Sequence, residues 1–214
     1  HPDPTVKRQS GFLVPQFSQS SNTGNYFTTP YFYAISEAAD LTFSPRAYDN
    51  GATIYQNEYR SIKKKSEHIV DFSFKNKSTL NIGEISDSSA AHFFLNSKFD
   101  LDLYNFEKTK MNIEIQETSN DDYLKTYKLK SPLIGSLRNL HSSINLNASR
   151  EDLDVEITAE KYENLGVNEK YEYIYPSFTI LKSIYESSKG SLTLNTTGQN
   201  KQFNTNTNEK IFTN

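Results

Sequence analysis

Ile144-Asn145-Leu146-Asn147-Ala148-Ser149-Arg150-Glu151-Asp152-Leu153-Asp154-Val155-Glu156-Ile157-Thr158-Ala159 places an apolar side chain at every second position on both sides of a short polar stretch. A period of two is the signature of a strand, because successive side chains leave opposite faces of a pleated backbone. Wound as a helix, the same residues would carry Asp154 and Glu156 into the apolar stripe. The reading is therefore a hairpin of two strands, 144–148 and 153–159, with Ser149-Arg150-Glu151 as the turn. One of its faces is apolar and the other wet.

The same design recurs outward from this hairpin. Phe93, Leu95, Phe99, Leu101 and Leu103 alternate with Asn96, Lys98, Asp100 and Asp102, and Met111, Ile113 and Ile115 alternate with Lys110, Asn112, Glu114 and Gln116. Val70, Phe72 and Phe74 oppose Asp71, Ser73 and Lys75, while Leu41, Phe43, Pro45 and Ala47 oppose Thr42, Ser44 and Arg46. Asp49-Asn50-Gly51 is a hairpin signal into 52–60, since Asn-Gly tolerates the positive φ that tight turns demand. Two further runs, 10–20 and 25–35, flank the polar Ser20-Ser21-Asn22-Thr23-Gly24, and in the second Phe27, Thr29, Tyr31, Tyr33 and Ile35 share a face. Tyr171–Leu181 is aromatic on one register and apolar on the other, with Pro176 interrupting its ladder.

Composition agrees with strands rather than with a large aliphatic core. Only 35% of the 214 residues are hydrophobic, and 14 Tyr and 14 Phe supply all the aromatic content. A net charge of −3 lacks the basic surface that neutralises phosphates, so nucleic acid is not an expected partner. Zero Cys excludes disulfides and thiolate metal sites within these residues. No apolar run is long enough for a transmembrane helix, but a membrane-crossing strand needs only about 9–11 residues with alternate ones apolar.

The organisation read from these patterns is an extended lead-in at 1–9, strands over 10–194, and an Asn/Thr-rich tract at 195–214 that is a loop, a lumenal strand or a strand end. Longer connections are expected at about 78–90, 117–136 and 161–170. The fold class is all-β: a partial antiparallel transmembrane β-barrel of roughly ten to twelve strands, belonging to a larger barrel.

Several motifs resemble one family. Asp3-Pro4-Thr5-Val6-Lys7-Arg8-Gln9-Ser10-Gly11-Phe12-Leu13-Val14-Pro15, then Pro30-Tyr31-Phe32-Tyr33-Ala34-Ile35, Asp40-Leu41-Thr42-Phe43-Ser44-Pro45-Arg46 and Glu58-Tyr59-Arg60 are similar, in order, to the opening of the barrel of the LPS-assembly (organic solvent tolerance) protein family, LptD. Ser119-Asn120-Asp121-Asp122-Tyr123-Leu124 and Tyr175-Pro176 add weaker matches further on. The resemblance covers most of 1–181, with the first 60 residues carrying most of its specificity. Set against that family, the sequence is expected to be a fragment that carries about the first ten or so strands of a larger barrel, without the periplasmic domain.

The resemblance implies transport and insertion of lipopolysaccharide in the outer membrane of a Gram-negative bacterium, with outer-membrane lipids around the barrel. Its partners would be a plug lipoprotein and a periplasmic transport bridge. It implies a lateral gate at the first strands, where Pro15 and Pro30 keep the seam loosely bonded. From the residues alone the two prolines end or bend strands, because proline has no N–H to give a ladder. Arg46, Arg60 and Lys98 lie on polar registers and are candidate lumenal contacts for the anionic groups of the glycolipid, with lumenal salt bridges as the alternative.

No enzyme and no cofactor is expected. His1, His68, His92 and His141 lack ligand spacing, and His141-Ser142 cannot act as base and nucleophile because neighbours on a strand face opposite ways. The period-two carboxylates Asp100, Asp102, Asp152, Asp154 and Glu156 line a wet face rather than converge on a catalytic or metal centre. The competing functions are a generic porin or receptor barrel and a soluble binding or adhesive β-domain.

Overall fold

The structure is a computed structural model that describes residues 8–20, 23–76, 89–166, 170–204 and 210–213. Most of the 1–9 lead-in, Ser21-Asn22 and most of the 78–90 connection therefore lie outside the described residues. The strands are β1 (Gly11–Phe12), β2 (Gln16–Ser20), β3 (Gly24–Thr28), β4 (Tyr31–Ser36), β5 (Ala39–Tyr48), β6 (Thr53–Lys63), β7 (Ser66–Lys75), β8 (Ala90–Leu101), β9 (Lys108–Thr118), β10 (Asn139–Arg150), β11 (Leu153–Asn164), β12 (Lys170–Ser187), β13 (Gly190–Asn204) and β14 (Lys210–Thr213). One short helix, α1 (Tyr123–Thr126), lies between β9 and β10. It is far too short to cross a membrane.

The hydrogen-bonded order is β1-β4-β5-β6-β7-β8-β9-β10-β11-β12-β13-β14, with β2 on β3 and β3 also on β5. Each strand after β4 pairs with its sequence neighbour, as expected of an all-β antiparallel meander and consistent with part of a barrel. The sheet is not closed: among the described residues β1 and β14 do not pair.

Two of the expected strands are each divided. The run 10–20 becomes β1 and β2, separated at Pro15, and the run 25–35 becomes β3 and β4, separated at Thr29-Pro30. Counted through those breaks, the fourteen segments are twelve strands. The hairpin at 144–159 turns one residue later than the sequence suggests, at Glu151-Asp152, because Arg150 still pairs with Leu153. Of the readings left open for 195–214, residues through Asn204 are strand, the end of β13.

Contacts divide the chain into two compact units. The first comprises His1–Lys63, Glu67–Leu95 and Gln116–Gly135, and the second Lys64–Ser66, Asn96–Ile115 and Ser136–Asn214. In the first, alternation sends Phe12, Phe17, Phe27, Tyr33, Phe43, Phe74 and Phe93 to an exposed apolar face. The opposite face carries Arg46, Tyr48, Ile54, Ser73, Lys75, His92 and Phe94, all buried. What buries them is the 119–135 connection, whose Tyr123, Leu124, Tyr127 and Leu129 are themselves buried.

The second unit repeats the two-faced design, without such a cover among the described residues. Cross-strand rows Ile113–Ile144–Ala159 and Met111–Leu146–Ile157–Phe178 form its apolar face. Its wet face holds rows such as Lys110–Asn147–Glu156–Thr179. Gly198 lies against the Phe178 ring, where an added Cβ would come within 2.7 Å of ring carbons.

Candidate functional site

Two features of the first unit stand out from an ordinary meander: a row of prolines across its first strands, and the segment that covers its polar face.

Phe12 pairs with Tyr31 and Gln16 with Thr28, so Leu13, Val14 and Pro15 face only Thr29 and Pro30. One extra residue on the first strand is a β-bulge, which interrupts pairing locally. On the other side β3 and β4 share one register against β5, because Thr28 pairs with Arg46 and Tyr31 with Phe43. Carried through the break, that register sets Thr29 opposite Pro45. Pro15, Pro30 and Pro45 thus occur at one level of three neighbouring strands.

The polarity of the bonds shows what each proline removes. In an antiparallel hydrogen-bonded pair each residue gives its N–H and takes one through its C=O, both on the same side. Leu13 N–H donates to the Pro30 carbonyl at 2.9 Å, and Thr29 N–H to the Pro45 carbonyl at 3.3 Å. The return bonds would need N–H groups on Pro30 and Pro45, which proline lacks. At both places half of a bonded pair is missing, on the side facing the preceding strand. Pro45 therefore weakens the ladder in the same way as Pro30.

Below the row the first strand is anchored. Ser10 Oγ accepts the Ala34 N–H at 2.9 Å, and buried Asp40 accepts from Arg8 Nη1 at 2.8 Å and Arg60 Nε at 2.9 Å. Above it, β2 and β3 form a hairpin of five pairs that meets β5 through only three: Tyr26 with Tyr48, Phe27 with Ala47, and Thr28 with Arg46. Asp49 closes that contact. Its N–H donates to the Asn25 carbonyl and its carboxylate accepts the Asn25 N–H, both at 3.0 Å. Gly24, at φ +82°, turns tightly against the Asp49 carboxylate, where a Cβ would lie 2.2 Å from Oδ1.

The covering segment folds by local bonds. Asn120 Oδ1 accepts the Asp122 N–H at 3.0 Å, and the Asn120 carbonyl accepts the Tyr123 N–H at 3.2 Å. Lys128, at φ +47°, ends the helical turn, and Leu129 N–H returns to the Leu124 carbonyl at 3.0 Å. These turns direct Tyr123 onto the polar face of the sheet, where its hydroxyl meets Ser73 Oγ at 2.8 Å. Burial pushes the Tyr123 phenol up to about 12, and also raises that of Tyr127.

Ser73 Oγ is also 2.7 Å from His92 Nδ1, and His92 Nε2 is 3.2 Å from Asp71 Oδ1. The order Ser–His–Asp is that of a hydrolytic triad, but a substrate carbon must come within about 3 Å of the nucleophile. Here the space around Oγ is filled by His92 and Tyr123, and Ser73 is 2% exposed. The chain of bonds instead fastens α1 to β7 and β8. The sequence reading missed this cluster because it judged histidines by ligand spacing along the chain. The alternation that sends Asp71 and Ser73 to one face was the usable signal.

The three candidate cations are placed differently. Arg46 is 8% exposed. Its Nη1 donates to the Tyr127 carbonyl at 2.9 Å, its Nη2 donates to Gln56 Oε1 at 3.1 Å, and its guanidinium carbon lies 4.5 Å from the Tyr26 ring centroid. The Arg46 Nε and the Thr28 hydroxyl, on directly opposed residues, have no hydrogen-bond partner among the described residues. Arg60 is half exposed, shared between Asp40 and Glu58, and six residues from the Arg46 partner Ile54 along β6. Lys98 is exposed on the wet register of β8, in the second unit. The structure thus sets Pro15 beside Pro30, and within the first unit Arg46 and Arg60 have separate partners.

In the second unit, a cavity of about 260 Å³ on the wet face is lined by Lys108, Lys110, Asn147, Ser149, Asp154 and Glu156, among others. It carries both signs of charge. His141 lies 3.2 Å from Glu160 and 3.6 Å from Glu114, while Ser142 takes the other face, as alternation demands. Among the described residues no group of three or more His, Asp or Glu side chains is placed to hold a metal ion.

No family model matches the sequence. It is similar to curated proteins named LPS-assembly protein LptD. The protein of Pseudoalteromonas translucida is 27% identical over 164 residues, which is 75% of this chain and 20% of the relative. That of Pseudomonas aeruginosa strain UCBPP-PA14 is 37% identical over 70 residues, covering 33% and 8%, and that of Pseudomonas entomophila is 41% identical over 61 residues, covering 28% and 6%. The chain spans about a fifth or less of the length of these relatives.

Proposed function

We propose that this chain is part of the barrel wall of an LPS-assembly protein of the LptD family, in the outer membrane of a Gram-negative bacterium, and that its first strands form a lateral exit for lipopolysaccharide. The observation that carries this reading is the proline row. All three of its prolines fall in motifs that resemble the opening of that family's barrel, and the names of the relatives point the same way. An exposed apolar face opposite a polar one is what a strand between lipid and a wet lumen requires.

In this reading Pro15 and Pro30 keep the seam weakly bonded, so that acyl chains pass sideways into the bilayer while sugars and phosphates follow the polar face. Arg60 and Lys98 are the cations exposed to those anionic groups. Arg46 reaches them only when the 119–135 segment moves away. A plug lipoprotein and a periplasmic bridge would be the protein partners, and the chain would carry no enzymatic step of its own.

The test is photo-crosslinking in living cells, with the probe replacing Val14 or Phe17 in the full-length protein. Both side chains are highly exposed beside the row, at 81% and 71%. A lipopolysaccharide adduct is the expected result. Adducts to phospholipid or neighbouring protein alone would move the function to an ordinary porin or receptor barrel.

A further inference from the structure

We infer that Arg46 is a positioning residue for the proposed exit: from the covered face it grips the β2–β3 hairpin and ties it to the 119–135 segment, so that the seating of that segment sets how readily the first strands part. The inference rests on the lateral-exit reading for its purpose, though its geometry stands without it.

The argument begins with what the prolines leave behind. The hairpin meets β5 through three pairs, and just below them the Thr29–Pro45 pair has lost its return bond. Backbone bonding alone holds this contact poorly. Proline occupies position 45, and the next residue along the pleat points to the opposite face, toward the covering segment. That residue is Arg46.

Its guanidinium carbon lies 4.5 Å from the Tyr26 ring on β3, and the Tyr26 and Tyr48 rings lie 5.2 Å apart. A cation over the face of an aromatic ring is attracted by the ring quadrupole, more so when water is excluded. The same guanidinium donates to the Tyr127 carbonyl and to Gln56, and Gln56 Nε2 reaches the Lys130 carbonyl at 3.5 Å. The Tyr127 ring packs edge-on against Tyr48 at 5.6 Å. One side chain thus touches the hairpin, its own strand, β6 and the covering segment. Moving 119–135 away would remove the carbonyl that orients the guanidinium and expose the cation–ring pair to water.

The experiment is hydrogen exchange on the full-length protein, comparing the amides of residues 24–29 with those of β10 and β11. Arg46→Met keeps the length of the side chain and removes its charge and donors. It is expected to speed exchange at 26–29 by about tenfold or more, the fold-change that accompanies loss of one hydrogen bond to a charged group. β10 and β11 should be unaffected, and Arg46→Lys should fall between Arg46→Met and the unaltered protein.

Unchanged exchange at 26–29 would overturn the inference, and so would an equal acceleration in β10 and β11, which would mark a general loss of stability. If Arg46→Met does not assemble, Tyr26→Leu removes only the ring beneath the cation and must speed the same amides, or the inference fails. Loss of the lipopolysaccharide adduct at Val14 with accelerated exchange intact would instead defeat the transport reading and leave the grip standing.

Discussion

β1–β5 and β10–β12 share one alternating pattern and are held together differently. Between β10 and β11 the pairing runs through twelve consecutive residues, from Asn139–Asn164 to Arg150–Leu153. Between β1 and β4 it lasts for two, and between β3 and β5 for three. The β10–β11 ladder is unbroken, and Asn145 adds side-chain bonds to Glu156 and Thr158 across it, while the β11–β12 ladder shifts register only once, at Thr158/Glu160. In the earlier strands prolines have deleted donors at one level, and side chains on the covered face take over. Alternation decides which face a residue occupies, whereas ladder continuity decides how firmly neighbouring strands stay paired.

The largest expected effect breaks the comparison from the covered side. Tyr123→Ala removes a side chain that is 2% exposed, together with its bond to Ser73. Truncating a buried aromatic costs about 3–5 kcal/mol. The loss should be confined to the first unit, with faster exchange in β5–β7 and none in β10–β11. A uniform loss would mean that the early strands do not depend on their cover. Alkali should act on the same contact. The folded phenol ionises near 12, above its ordinary value of 10.0, so its stabilisation is complete below about pH 10 and is lost as pH rises through 12. Tyr123→Phe should remove that part of the alkaline transition.

The next effect sharpens the difference between faces within β10. Leu146 pairs with Met111 and Ile157 on the apolar side, and the adjacent Asn147 with Lys110 and Glu156 on the wet side. In a bilayer Leu146→Arg should cost about 2–4 kcal/mol in urea unfolding, while Asn147→Arg should change little. Equal costs would place both faces in water and favour the soluble β-domain.

Repairing the ladder is the smaller, opposite change. Pro45→Val restores an N–H facing Thr29, and one added hydrogen bond is worth about 0.5–1.5 kcal/mol. Exchange at 26–29 should slow, and in the transport reading the lipid adduct at Val14 should fall with it. A variant that stiffens the seam without affecting the adduct would separate seam strength from lipid passage.

How much of this was legible in the residues differs between the two regions. The hairpin at 144–159 could be read almost to the residue because each strand carries its own pattern and the turn is short. Pro15 and Pro30 could be named, but their alignment with Pro45 depends on registers that no single segment encodes. Arg46 was placed on the polar register correctly, yet its partner is a backbone carbonyl 81 residues away, and carbonyls leave no mark in a sequence. Tyr123 was equally hidden: Ser119-Asn120-Asp121-Asp122 looks like an exposed loop, and its burial comes from Ser73, 50 residues earlier. The local code is legible where a strand's partner is its neighbour, and fades where a connection folds back over distant strands.

The smallest effect lies in the tight turn of the well-bonded region. Asp152 is held below the ordinary carboxylate range, first by its bond to Lys182 and then by Arg150 Nε at 2.7 Å. A carboxylate with a lowered folded pKa stabilises the fold above its unfolded pKa, and that contribution disappears as pH falls through the folded value. Asp152→Asn should therefore melt slightly below the unaltered protein at neutral pH, and the two should converge in acid. Exposed pairs of this kind are weak and screened by salt, so raising the ionic strength should shrink the difference at neutral pH as well. A large effect here would mean that β10–β12 also lean on side chains, and the contrast with the proline-broken strands would no longer rest on the backbone ladder.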